Sequence, residues 1–262
     1  MINLKTPKER IKEWQTQNNM RAGFEVKLAS AMSKEINRVA KQVSVSFITA
    51  GKSAIGIHTR EHHAKVKNLI FNHWTAVTTV FRDRTLAMLR TVVSSERKEY
   101  EDEFDRLFGE FLFTFGAEKV NNISAKTMAD IITAIESARL DELDVYQTAK
   151  RITELTAISS LTRAVLIART ETHQAANYAN FTSLDVVNIP NITKQWVAIN
   201  DARTRDDHTF ADGQEVAKDG KFIVGGAELM HPGDPSGPPE QVINCRCTFV
   251  VNVPEPDFGG DE

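Results

Sequence analysis

The sequence predicts an α+β protein: a long-helix, mainly α N-terminal region followed by a small β-rich (α+β) C-terminal module. Three observations predict it. Through most of residues 1–185, apolar residues recur at spacings of three and four, the period of an amphipathic helix. After Pro190 the period changes to alternation, which is that of a strand. Both cysteines and six of the eight prolines lie between Pro190 and Pro254, in a stretch dense in Asp and Gly.

Composition narrows the class. A chain of 262 residues that is 41% hydrophobic has enough apolar surface for one large domain or two smaller ones. No apolar run approaches about eighteen residues, and the opening MINLKTPKER is polar and charged, so the expectation is a soluble protein made in a cytoplasm. Cys245 and Cys247, one residue apart, are poorly placed to close a strain-free disulfide, which leaves reduced thiols or metal ligands. The net charge of −3 conceals a split: residues 1–95 hold 16 Lys+Arg against 6 Asp+Glu, and residues 96–262 hold 16 against 29. Such a basic part points to a polyanionic partner, double-stranded DNA or an acidic protein surface, with solvated helix faces as the plain alternative.

Thr6-Pro7-Lys8-Glu9 has the residues of a capped helix start with Pro at the first helical position. The helix that follows buries Phe24, Leu28, Met32, Ile36, Val39 and Val43 and exposes Lys27, Lys34, Arg38 and Lys41. Val43 to Gly56 reads as a break. Its Gly51-Lys52-Ser53 triplet lacks the upstream glycine of a phosphate loop, because position 46 is Ser. A second long helix is expected over about Arg60–Val93, with Val66, Ile70, Trp74, Val77, Phe81, Met88 and Val92 buried. His58, His62, His63 and His73 on or near it read as a solvated or DNA-facing cluster; a metal pair at His58 and His62 would have only Glu61 beside it.

Ser94-Ser95-Glu96 starts an aromatic helix through Phe104, Leu107, Phe108, Phe111, Leu112 and Phe115, although Phe111, Phe113 and Phe115 also alternate as in a short strand. Its carboxylates at 99, 101, 102, 103 and 105 suit a solvated face or a docking surface for a basic partner. Gly116 and Asn121-Asn122 weaken it. Ser124 restarts a helix to Arg139, and Asp141 caps a short helix burying Val145, Ala149 and Ile152. A last helix, about Ser159–Leu184, carries a stripe of mostly small residues: Leu161, Val165, Ala168, Thr172, Ala175 and Ala179. Arg169 and Glu171 lie on different faces, so each is expected to form a helix-to-sheet ion pair.

Strands are expected at Gln195–Ile199, at Phe222–Val224 and within Val242–Val253, with turns at Asp212-Gly213 and Gly225-Gly226. In the last strand Cys245, Cys247, Phe249, Val251 and Val253 share one face. That face supports two readings. In one, Cys245 and Cys247 hold a single structural zinc with His208 and either His231 or a carboxylate from Asp206, Asp207 or Asp212. In the other, the cysteines are small core residues continuous with Phe249. Asp201, Arg203, Arg205, Asp206, Asp207 and His208 place acid, base and imidazole in one loop. With no nucleophile elbow and no HExxH, they are read as organising that loop through charge-assisted hydrogen bonds. The segment after Pro254 is acidic and is expected to be disordered or a short linear contact.

The tryptophan strand, the DARTRDDH turn, the Asp-Gly-Gln step, the INCRC strand and the entry helix ARTETHQAAN together resemble the C-terminal domain of phage Mu F-type minor head proteins. The resemblance is most specific over residues 161–253. It divides the chain into a helical, basic-then-acidic region at 1–158, a Mu F-like α+β module at 159–253 and an acidic tail at 254–262. It implies a non-enzymatic head morphogenesis protein, a portal-associated component of the virion head interior that is present in the host cytoplasm during assembly. The phage portal protein is the implied partner, with DNA, capsid or scaffold proteins beside it and no membrane. Two other classes stay open: a metal-dependent hydrolase centred on His208, and a toxin-delivery module, for which the eight residues after Pro254 leave no room for an appended catalytic domain.

Overall fold

The computed structural model describes residues 3–4, 6–90, 97–187 and 189–254. The expected start at Ser94-Ser95-Glu96, the burial of Val92 and the acidic tail lie outside them. Five long helical segments come first: α1 (Pro7–Ala50), α2 (Ser53–Leu89), α3 (Arg97–Phe111), α4 (Ala117–Leu140) and α5 (Val145–Val187), with a π turn at Leu112–Gly116 joining α3 to α4. They are followed by β1 (Thr193–Val197), α6 (Asp206–Ala211), β2 (Glu215–Ala217), β3 (Phe222–Val224), β4 (Ala227–Leu229), α7 (Pro239–Val242) and β5 (Thr248–Asn252). The chain forms two compact units: one from residues 23–75 and 108–171, the other from residues 1–22, 76–107 and 172–262. Helices α1, α2, α3 and α5 each contribute to both.

The first unit is all helical. Leu28, Met32, Ile36, Val39 and Val43 of α1 are buried as their spacing predicts, as are Val66, Ile70 and Trp74 of α2. Val39, Ala40 and Val43 share a core with Ala54, Met128, Ile131, Ala134, Ile135 and Ile152. The interruption between α1 and α2 is confined to Gly51-Lys52 and does not extend from Val43 to Gly56. Burial of Val43 and Ser44, whose hydroxyl donates to the Ala149 carbonyl at 2.7 Å, keeps the β-branched end of α1 helical. Gly51 reverses the chain at φ +55°.

Helix α4 passes through Asn121-Asn122 unbroken, and Ser124 is a buried interior residue. The weakening falls instead on the π turn, where Phe113 is 88% exposed and no strand forms. Gly116 is required there because a Cβ would meet the Phe71 ring at 2.9 Å. Asp141 ends α4. Asp144 starts α5, where the Gln147 N–H donates to Asp144 Oδ1 and the Asp144 N–H to Gln147 Oε1. From there α5 runs through residues 158 and 159 without interruption. Its buried face there is Thr156, Ser160, Ala164 and Ile167, while Leu161, Val165 and Val145 are exposed, against expectation. The Ser160 hydroxyl accepts from Asn37 at 3.0 Å, and Arg163 donates to Thr127 and to the Ile123 carbonyl. Polar docking between helices thus sets a face that apolar spacing alone misplaces.

The second unit contains the sheet, in order β2-β1-β5, all antiparallel, with Trp196 opposite Phe249 and Gln195 opposite Val250. One face, through Trp196, Ala198, Phe249 and Val251, joins a core with Leu86 and Leu89 of α2, Leu184 of α5 and Phe222 of β3. The other packs Val197 and Val250 against Trp14 of α1. β3 and β4 form a hairpin whose two-residue turn is Gly225-Gly226, both at positive φ. Strands β2 and β4, only three residues each, carry too little alternation to read from the sequence.

Candidate metal centre

Buried polar contacts hold the second unit's sheet in place. The Trp14 indole donates to the Arg246 carbonyl at 2.8 Å. Thr248 Oγ1 shares its one proton between Gln17 Oε1 at 2.8 Å and Asn177 Oδ1 at 2.9 Å, and Asn177 Nδ2 donates to the carbonyls of Pro232 and Cys247 at 3.0 Å each. Asn177 comes from the ARTETHQAAN segment, so this entry helix fixes the backbone at Cys247.

Within that frame, Asp201 organises the loop after β1. It receives the Arg203 N–H and the Thr204 hydroxyl at 3.0 and 3.2 Å and pairs bidentately with Arg246. That guanidinium holds its carboxyl far below the usual carboxylate range. The loop therefore delivers α6 in a fixed pose, as its charges predict. Asp212 closes the same loop, accepting from the Ala198 N–H at 2.9 Å and from Asn200 at 2.8 Å.

Helix α6 carries His208, which is buried with Cys245 and Cys247. Their donor atoms lie within 4.8 Å of one another. His208 Nδ1 is 3.3 Å from Cys247 Sγ and 3.7 Å from Cys245 Sγ. A tetrahedral zinc with Zn–S of about 2.3 Å and Zn–N of about 2.0 Å separates sulfur from nitrogen by about 3.5 Å, so the three donors already stand at metal-ligand spacing. The far side of the imidazole is also set. Gln241 Nε2 donates to Asp207 Oδ2 at 2.7 Å, which turns its oxygen toward His208 Nε2 at 3.1 Å. An amide oxygen only accepts, so His208 Nε2 is the donor in this contact and Nδ1 is the ring atom turned to the sulfurs. Gly225 of the β3–β4 turn closes over this relay, and a Cβ there would overlap Asp207 Oδ2 and Gln241 Nε2.

The sulfurs are electrostatically uneven. Cys245 is held well below the usual thiol range by a hydrogen bond from Cys247 and by His208, and Cys247 is raised by its hydrogen bond to Cys245 and by burial. The buried Trp196 Nε1 has no regular hydrogen-bond partner, and its N–H favours the Cys247 thiolate. A thiolate at Cys245 in a dry site calls for a cation.

Of the four predicted ligands, His208, Cys245 and Cys247 come together, and His231 does not belong to the cluster. His231 is buried against Phe181 and Tyr178 at ring separations of 5.6 and 6.3 Å, with Nδ1 3.2 Å from the Pro232 carbonyl. The carboxylates of Asp206, Asp207 and Asp212 are outside the cluster too. Gln241 is the functional residue the sequence does not flag, since nothing in Pro-Glu-Gln-Val marks a relay. Both cysteines precede β5 rather than lying in it, yet both still point into the core shared by Phe249 and Val251.

The remaining sequence candidates resolve into structure. His62 is buried with Nδ1 2.8 Å from Glu35, and His73 is buried with its pKa lowered to about 4 by desolvation, so neither belongs to a solvated cluster. His58 Nε2 is 2.8 Å from the Ser46 hydroxyl. Arg169 reaches Glu25 at 3.8 Å, and Glu171 accepts from the Trp74 indole at 2.9 Å and from Lys119 at 3.4 Å. These partners lie on α1, α2 and α4 rather than on the sheet, and both residues belong to the helical unit.

Residues 130–250 match the family described as Phage Mu protein F like protein. That span holds all of α5, the sheet up to Val250 of β5 and all three clustered donors. No curated protein and no solved structure matches the chain.

Proposed function

We propose that the chain, whose residues 130–250 match the Phage Mu protein F like family, is a head morphogenesis protein of the virion head. On this reading it is a non-enzymatic minor head protein, associated with the portal inside the head, which helps assembly and the packaging or ejection of DNA. The family match is the observation that carries this reading. Support for a DNA or portal contact comes from Lys27, Lys34 and Lys41 of α1 and Arg60, Lys65 and Lys67 of α2, which are exposed. The basic excess is nonetheless partly internal: Arg21 is buried, and Arg38 and Arg84 pair with Glu35 and Glu13. Among the described residues, no helix is long and apolar enough to cross a membrane.

With this role goes one zinc at His208, Cys245 and Cys247, which clasps the loop after β1 to the segment entering β5. A non-catalytic metal is favoured because Asp207, the nearest acid on α6, is engaged by Gln241 rather than directed at the cluster. The test of the role is co-expression with the cognate phage portal protein, followed by affinity capture on either partner. The reading expects a stable complex that survives moderate salt. Absence of the complex, together with absence of the protein from purified virions by mass spectrometry, would overturn it.

A further inference from the structure

The zinc proposed above has three protein donors, and a tetrahedral ion needs four. Among the described residues no fourth His, Cys, Asp or Glu joins the cluster. What adjoins all three donors is a cleft of about 10 Å³, which is room for one water. Its other walls include Arg203, Thr204, Arg205, Asn244 and Arg246, with no carboxylate and no second imidazole. Arg246 is tied to Asp201, and Arg205 donates to the Ile243 carbonyl at 2.6 Å, so the walls are held in place. Their guanidinium charge favours a negative or strongly dipolar occupant.

We infer that the metal is held by His208 Nδ1, Cys245 Sγ and Cys247 Sγ alone and keeps its fourth position, facing this arginine-walled cleft, for an exchangeable solvent ligand: a water or a small anion. The inference rests on the zinc reading. Exchange is a simple substitution in which the water leaves as the anion binds, with no change of oxidation state. A cleft this small is far below the several hundred Å³ of a substrate pocket, so the position admits ligands of a few atoms only.

The full-length protein with cobalt(II) in place of zinc tests it, with azide as the probe. The expected result is a shift of the visible d–d bands that saturates at one azide per cobalt, and an X-ray absorption spectrum of the zinc protein with two sulfurs and one imidazole per metal. Bands unmoved by azide, or two imidazoles per zinc, would establish a closed four-ligand site and overturn the inference while leaving the zinc in place. The His231→Gln variant is expected to keep both metal and cobalt spectrum; loss of metal with the fold retained would make His231 the fourth ligand. A protein that retains neither zinc nor cobalt overturns the zinc reading itself, and the open position with it.

Discussion

The helical unit and the sheet-bearing unit are held together by different means. In the first, Val, Ile, Met and Ala from α1, α2, α4 and α5 share a core, and each residue contributes a modest increment. In the second, few residues carry much: Asp212, Asn177 and Gln241 each bind two or more groups that are distant in sequence, and Asp201 ties its own loop to Arg246. A periodic core tolerates loss of one member. A polar clasp does not, because removing one partner strands the others in a dry interior. The comparison teaches that chain length in the helical unit is spent on burial, and residue identity in the module on geometry.

The largest contrast is expected at the metal centre. Cys245→Ser with Cys247→Ser removes both sulfur ligands and should lower the melting temperature more than any single change in the helical unit, since zinc binding contributes about 10–16 kcal/mol in zinc-finger peptides. Calorimetry against Trp74→Ala makes the comparison direct. Trp74 is buried, stacks on Phe111 at 4.7 Å and donates to Glu171, so its truncation should cost about 3–5 kcal/mol. A double cysteine variant as stable as wild type would erase the distinction between the units.

The two units also differ in how they meet acid. Burial of His73 in the helical unit lowers its pKa from 6.5 to about 4, so below 6.5 the unfolded chain takes up a proton that the folded chain refuses. Stability should therefore fall by about 3 kcal/mol as pH drops from about 6.5 to 4 and level off below that, and His73→Phe should flatten this limb in denaturant titrations. An unchanged acid limb in the variant would remove His73 from the account.

The smallest contrast lies within one turn. Gly225 and Gly226 both have positive φ, but only at Gly225 would a Cβ collide with the Asp207–Gln241 pair, while nothing lies within 4 Å at Gly226. Gly226→Ala should cost about 1 kcal/mol from backbone strain alone. Gly225→Ala should cost about 2 kcal/mol or more and also weaken metal retention, because it displaces the relay behind His208. Equal effects at the two glycines, measured by thermal shift and metal content, would sever the relay from the metal.

Much of this architecture is legible in the sequence, and the gaps have physical causes. Long amphipathic stripes and the change of period after Pro190 predict the helical region and the position of the sheet. Helix junctions are less legible. Val43 to Ala50 has the β-branched composition of a break yet stays helical, and residues 145–187, expected as two helices, are one, because Ser44, Ser160 and Arg163 make tertiary contacts that no local pattern announces. At the metal centre, Cys245, Cys247 and His208 are legible from residue type, the loop order and a shared face. His231 is equally plausible by type, but the fold gives it to Phe181 and Tyr178. Gln241 is invisible beforehand, since an amide becomes a relay only where Asp207 and His208 are brought to its two ends.

The most direct test of the central claim is the metal content of the protein purified without chelators, by plasma mass spectrometry beside the double cysteine variant. The account predicts about one zinc per chain in the wild type and none in the variant. A metal-free wild type that melts at the same temperature with and without added zinc would contradict it and return Cys245, Cys247 and His208 to the core as packing residues.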